Sequence, residues 1–272
     1  MAQAVQAQTG GEINWLNQKI ACEIISPKAS NAIDLARQVL TDQPIDIALI
    51  PKENRRKKLL IADMDSTMIN EECIDELADA LGIKDKVADI TARAMNGELD
   101  FVQALDTRVS LLKGLSQEVI KQVRRERITL ATGGRALVHT MKAFGAHTAL
   151  ISGGFTIFAD YIAKRIGFDE AIANHLEFDG ELLSGKVNKP IIDANAKLSR
   201  LQFLTNELQI SQAQTLAVGD GANDLPMIKA AGLGVALHAK PVVAAQAQIK
   251  INHGDLTALL YLQGYNEDDI VR

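Results

Sequence analysis

The sequence predicts an α/β fold built on an open parallel sheet, and three observations carry that reading. The runs KLLIAD (58–63), HTALIS (147–152) and TLAVGD (215–220) are near-continuously apolar, as strands covered on both faces are. Each ends on a polar residue: Asp63, Ser152 and Asp220. Between them lie long segments of helical spacing, the crossovers that parallel strands require. GLGVAL (232–237) and IKIN (249–252) read as two further strands. Ligands of such sheets bind beyond the carboxyl ends of the strands, so the three polar strand ends point to one shared site.

Taken from the N-terminus, the Ala/Gln-rich first ten residues are expected to be mobile. IACEII then reads as a strand, ASNAIDLARQVL as a helix and IDIALI as a strand, which together make a small βαβ module. The stretch from Pro51 to Lys58 is the linker, so residues 1–57 are expected to form an appended unit. More than 80 residues separate the first two core strands, far beyond one crossover helix. ECIDELADALG, DKVADITARAMNG, FVQALDTRVSLLKG and SQEVIKQVRRER all read there as amphipathic helices, punctuated by Gly82, Gly97 and Gly114. This helical insertion, 71–127, leaves the core at the edge where the polar strand ends gather, and is expected to cap the site. The core is then 58–70 with 128–272. EFDGELLSGKV (177–187) centres on Asp-Gly and reads as a β-hairpin.

Composition bounds the partners. The chain of 272 residues is 47% hydrophobic and 23% charged, ordinary for a globular protein, and a net charge of −5 argues against a general polyanion surface. The run Arg55–Arg56–Lys57–Lys58 is the local exception and reads as a solvated approach to a strand. Cys22 and Cys73 lie far apart, form no CxxC, and neither has the arginine six residues on that a phosphate-cradling cysteine loop needs. No apolar run approaches the ~20 residues of a membrane span, and the N-terminus lacks the apolar core of a secretory signal. The expectation is a cytoplasmic protein with no nucleic-acid and no membrane partner.

The strand ends carry the chemistry. Asp63 and Asp65 are two apart, so on extended backbone both carboxylates project to one side. Two such charges raise one another's pKa unless a cation lies between them, and a hard divalent ion such as Mg²⁺ suits carboxylates and phosphate oxygens together. Asp220, flanked by Gly219 and Gly221, could supply a further ligand. Ser152–Gly153–Gly154 sets a hydroxyl before glycines that expose backbone N–H groups at a helix start, as a phosphate wants. Lys197 alone reads as a solvated helix lysine, and Glu72 and Arg108 alone as surface charges on cap helices.

In order, Asp-Met-Asp-Ser-Thr (63–67), Ser-Gly-Gly (152–154), Lys197 and Gly-Asp-Gly-Ala-Asn-Asp (219–224) resemble the motifs of the haloacid-dehalogenase-like (HAD) phosphatases. AMNGELDFVQALDTRVSLLKGL (94–115) and AVGDGANDLPMIKAAG (217–232) narrow the resemblance to the phosphoserine phosphatase family, over about residues 58–262. The resemblance implies a Rossmannoid, doubly wound sheet and Mg²⁺-dependent hydrolysis of phosphoserine. It implies Asp63 as nucleophile and Asp65 as the acid and base. Asp63, the Asp65 carbonyl and Asp220 become metal ligands, with Asp224 behind them or reaching the ion through water. Ser152, the Gly153 N–H, Lys197 and Asn223 would hold phosphoryl oxygens. Glu72 would meet the substrate's ammonium and Arg108 its carboxylate. Met95 and Phe101 match apolar cap positions that exclude water, or else pack the cap's own core.

One stretch departs from the family: LATGGRA (130–136) lacks the usual proline, a change in a structural turn. The module is half of a ferredoxin-like unit, which leaves pairing across a homodimer open. Hydrolysis of another small phosphomonoester, or phosphotransfer to an alcohol, also stays open. A non-catalytic receiver of a phosphoryl group would need neither Asp65 nor a substrate-sized cap. GxSxG, HExxH and a Walker loop are all absent.

Overall fold

A computed structural model describes residues 1–272. The N-terminal segment holds helix α1 (Ala2–Thr9), strands β1 (Glu12–Asn17) and β2 (Ala21–Ile25), and helix α2 (Ala32–Val39). Two expectations are corrected here. The first residues are helical, with Val5 and Thr9 buried. The module is not βαβ: β2 pairs backwards with β1 in an antiparallel hairpin, and residues 45–50 form no strand. A short turn between β1 and β2 closes a far smaller loop than a crossover, so the local partner wins. Part of IDIALI serves docking instead, while Ile45 and Leu49 stay exposed. Ala48 and Ile50 pack on the main core, and the Asp46 carboxylate accepts N–H bonds from Asn252, His253 and Gly254 at 2.8–3.1 Å.

The basic run is also tied down more than a solvated stretch would be. Arg55 pairs with Glu23 and donates to the carbonyls of Leu262 and Tyr261, while Arg56 lies against the rings of Phe144 and Tyr265 and pairs with Asp269. Lys57 is buried, its ammonium donating to the carbonyls of Asn54 and Ala213.

From β3 (Leu59–Ala62) the chain enters the cap helices α3 (Cys73–Asp79), α4 (Lys84–Met95), α5 (Phe101–Leu111) and α6 (Gln117–Glu126). It returns through α7 (Gly134–Ala143) to β4 (His147–Phe155), α8 (Thr156–Ile166) and β5 (Glu170–Asn174). The predicted hairpin follows as β6 (Leu176–Asp179) and β7 (Leu182–Val187), then α9 (Ala194–Glu207), β8 (Thr215–Gly219) and α10 (Leu225–Ala230). The last elements are β9 (Leu233–Leu237), α11 (Pro241–Ala244), β10 (Ile249–Ile251) and α12 (Ala258–Leu262). No helix is long and apolar enough to cross a membrane.

Six strands form one all-parallel sheet in the order β10-β9-β8-β3-β4-β5, with β3 near its middle. Burial on both faces explains the continuous apolar runs. Leu60, Ala62, Leu150 and Leu216 join one layer with Leu137 and Met141 of α7 and Phe158 of α8. Leu59, Ile61, Ala149 and Ala217 point the other way, onto Leu201 and Leu204 of α9 and Met227 of α10. Truncating one of these leucines to alanine costs about 2–5 kcal/mol. The edge strand β5 escaped the sequence reading: it is half exposed on one side, and its Glu170 pairs with Arg200, so it lacks a core strand's apolar run.

Side chains start two of the cap helices. Asp100 accepts from the Gln103 N–H at the head of α5, and Ser116 from the Val119 N–H at the head of α6. The β6–β7 hairpin braces the cap from below, since Leu183 exchanges backbone hydrogen bonds with Gly114 and Leu115.

Candidate active site

Asp63 stands one residue past β3, and its N–H still bonds to the Val218 carbonyl at 3.0 Å, so the sheet fixes its backbone. The chain then folds back sharply, with the N–H groups of Thr67, Met68 and Ile69 converging on the Met64 carbonyl. Ser66 takes a left-handed φ of 52°, a conformation costly for a side chain other than glycine. This turn brings Asp65 to the head of α3, where its Oδ1 accepts the Cys73 N–H at 2.8 Å. Asp65 Oδ2 faces Ser152 Oγ at 3.5 Å, and that oxygen accepts the Gly154 N–H at 2.9 Å.

Behind the pair sits a fully buried lysine. Lys197 Nζ lies 2.6 Å from Asp63 Oδ1 and 2.7 Å from Asp224 Oδ1. The other Asp224 oxygen accepts N–H bonds from Asp220 and Gly221, so that carboxylate is fully engaged. Asp220 differs: it is buried, its Oδ2 has no hydrogen-bond donor, and the nearest cation, Lys240, stands 3.8 Å away. Carboxylate oxygens of Asp63, Asp220 and Asp224 lie within 4.8 Å of one another.

This much buried negative charge moves the protonation equilibria. Burial, then the Asp224 charge, pushes Asp63 up to about 7 despite Lys197. Burial likewise pushes Asp65 up to about 6 and raises Asp220 well above the usual carboxylate range. A metal ion between Asp63 and Asp220 fits these facts, because it would engage the orphaned Asp220 oxygen and favour the ionised carboxylates. Asp65 is not among the three carboxylates that cluster there.

Core and cap meet at a narrow cleft, open on one side, over these residues. Asp63, Asp65, Ser152, Gly153, Asp220 and Asn223 line it from the core, and Glu72, Met95, Phe101 and Arg108 from the cap side. Lys197 and Asp224 lie behind this wall. Two glycines let the cap seat closely: a Cβ on Gly153 would stand 2.7 Å from the Phe101 ring, and one on Gly221 would stand 2.7 Å from Met95 Sδ. Met95 and Phe101 therefore form the lid of the cleft.

Arg108, a surface charge if read alone, is 3% exposed. Its Nε donates to the Ala104 carbonyl and its Nη1 to Thr91 Oγ1, and it has no salt bridge. Glu72 accepts a hydrogen bond from Ser66 Oγ at 2.7 Å, and burial, followed by the Asp65 charge, pushes it up to about 7.

Several contributors escaped the sequence reading. Ser66 fixes Glu72; Asn174 at the end of β5 donates to the Gly153 carbonyl and so anchors the phosphate loop. Lys240 could have been found by the strand-end rule, since it follows β9 by three residues. Asn174 carries no comparable signal, and Ser66 stands inside the Asp-Met-Asp-Ser-Thr motif without a role of its own being readable.

A central parallel strand delivering an Asp-x-Asp pair under an inserted helical cap defines a haloacid dehalogenase-like hydrolase. That family's model matches residues 60–229, and the chain belongs to the family. Within it the chain is similar to the phosphoserine phosphatase of Haemophilus influenzae, 45% identical over 229 residues, which cover 83% of this chain and 72% of that one. Two solved structures are similar at a TM-score of 0.73 and 40% identity, covering 76% of this chain and 98% of theirs. One is a phospho-aspartyl intermediate analogue of phosphoserine phosphatase, the other a substrate-bound phosphoserine phosphatase complex.

Proposed function

We propose that this protein is a Mg²⁺-dependent phosphoserine phosphatase acting on the free phospho-amino acid in the cytoplasm. One observation carries the reading: the cleft over Asp63 and Asp65 has a half-buried carboxylate, Glu72, and a buried guanidinium, Arg108, on its walls. Phosphoserine has the opposite charges beside its phosphate. Residues 1–57 then form an appended module and 71–127 the cap.

The residues divide the reaction into two displacements. An Asp63 carboxylate oxygen attacks phosphorus, the bond from phosphorus to the serine oxygen breaks, and the Asp65 carboxyl proton passes to that oxygen. A raised Asp65 pKa keeps the proton available near neutrality. Water then gives a proton to the Asp65 carboxylate and attacks the aspartyl-phosphate, releasing phosphate and restoring Asp63. Ser152 Oγ, the Gly153 N–H, Lys197 and Asn223 are the donors for the phosphoryl oxygens. Mg²⁺ on Asp63, the Asp65 carbonyl and Asp220 would supply the positive charge that lets a phosphate dianion enter this acidic site.

Phosphate release over a panel of phosphomonoesters, with Mg²⁺ and with EDTA, tests the reading. Phosphoserine should be preferred and EDTA should abolish turnover. A rate that survives EDTA, or a flat substrate profile, defeats it.

A further inference from the structure

Arg108 is a buried cation held without a carboxylate partner. One anion of the cap, Asp75 of α3, is kept one residue away from it. Thr91 of α4 stands between them, 3% exposed: its Oγ1 accepts from Arg108 Nη1 at 3.1 Å and lies 2.8 Å from Asp75 Oδ1. A hydroxyl has one proton, and with Arg108 as donor to the oxygen that proton goes to an acceptor. The acceptors in reach are the Asp75 carboxylate and, at 3.0 Å, the Val87 carbonyl. The charged acceptor is the stronger, so the chain of bonds runs from guanidinium to hydroxyl to carboxylate.

We propose that Thr91 and Asp75 are positioning residues that hold Arg108 as an open clamp for the substrate carboxylate. This rests on the phosphoserine reading above. A direct Asp75–Arg108 pair would occupy the guanidinium's planar fork, the part that binds a carboxylate in two parallel bonds. Interposing Thr91 supplies Asp75's negative charge at one remove and uses a single N–H. Nε is spent on the Ala104 carbonyl, which sets the plane of the group. The remaining N–H groups have no protein acceptor and Arg108 lines the cleft. Specificity for an amino-acid phosphate would thus depend on two residues that never touch the substrate.

The test uses the full chain with Mg²⁺ and two substrates, phosphoserine and p-nitrophenyl phosphate, which has no carboxylate. Thr91→Val should raise KM for phosphoserine about tenfold, equivalent to about 1.4 kcal/mol, with kcat and the aryl phosphate unchanged. Thr91→Ser, which keeps the hydroxyl, should restore KM. Asp75→Asn, a second variant should Thr91→Val fold poorly, should raise KM selectively for phosphoserine too. Wild-type KM in the folded variants, or equal losses on both substrates with no rescue by serine, overturns the proposal. Arg108→Ala separates the two levels: if it leaves phosphoserine preference intact, the clamp reading itself is wrong. If it removes the preference while Thr91→Val and Asp75→Asn do not, only the positioning role is wrong.

Discussion

Lys197 Nζ sits 2.6 Å from Asp63 Oδ1, with the lysine fully buried and the aspartate nearly so. Burial alone would lower the ammonium's pKa, yet the Asp224 and Asp63 charges outweigh it and carry the group above its ordinary value. Lys197 is therefore a fixed positive charge beneath the proposed nucleophile. Lys197→Met should cut kcat/KM for phosphoserine about a hundredfold or more and cost about 3–5 kcal/mol, because it strands two buried carboxylates. Steady-state kinetics and urea unfolding measure both. A variant of full stability and activity would show that the pair is dispensable.

The raised carboxylates make metal-free stability depend on pH in a defined direction. Asp63 and Asp65 have folded pKa values of about 7 and about 6, and Asp220 is raised well above the usual range, so between pH 4 and 7 the folded chain binds more protons than the unfolded one. Stability from these groups is lost as pH rises through the folded values. The EDTA-treated protein should melt lower at pH 8 than at pH 5.5, and Mg²⁺ should raise the pH 8 value most. Asp220→Asn should raise the metal-free Tm at pH 8 while abolishing activity, the trade expected where a site stores repulsion. A metal-free Tm independent of pH would contradict the acidic cluster's role.

Closure of the cap depends on a missing side chain. The Cβ built on Gly153 stands 2.7 Å from Phe101 Cζ, so Gly153→Ala should hold the α5 end of the cap off the phosphate loop. Activity on phosphoserine should drop about tenfold, and Phe101→Leu in the same chain should recover part of it. A double-mutant cycle should give a coupling of about 0.5–3 kcal/mol. Additive losses would mean that the two residues act separately.

The sheet and its strand ends were legible in the sequence because two-sided burial forces apolar runs, against which Asp63, Ser152 and Asp220 stand out. The depth of Lys197 and Arg108 was not. A basic residue at helical spacing looks the same in sequence whether its face meets water or a pocket, and the partners of Lys197 come from distant segments that only the topology assembles. The resemblance singled these two residues out, Lys197 by motif order and Arg108 by the cap sequence; their burial had to be seen. IDIALI misled for a related reason, since an apolar run holding one hydrogen-bonded aspartate reads alike as strand or as strap.

That strap makes the last prediction. Asp46 Oδ1 accepts the Asn252 N–H, and Oδ2 accepts those of His253 and Gly254, just beyond β10. Three backbone donors on one carboxylate pin the segment from α2 to β3 against the sheet's edge, although the segment has no regular structure of its own. Asp46→Ala leaves those donors to water and should lower stability by about 1–3 kcal/mol. Neither Asp46 nor its partners line the cleft, so kcat and KM for phosphoserine should not change. Asp46→Asn, which keeps one acceptor oxygen, should fall between. A loss of turnover without a loss in Tm would mean instead that the strap communicates with the cleft through the β9–β10 edge.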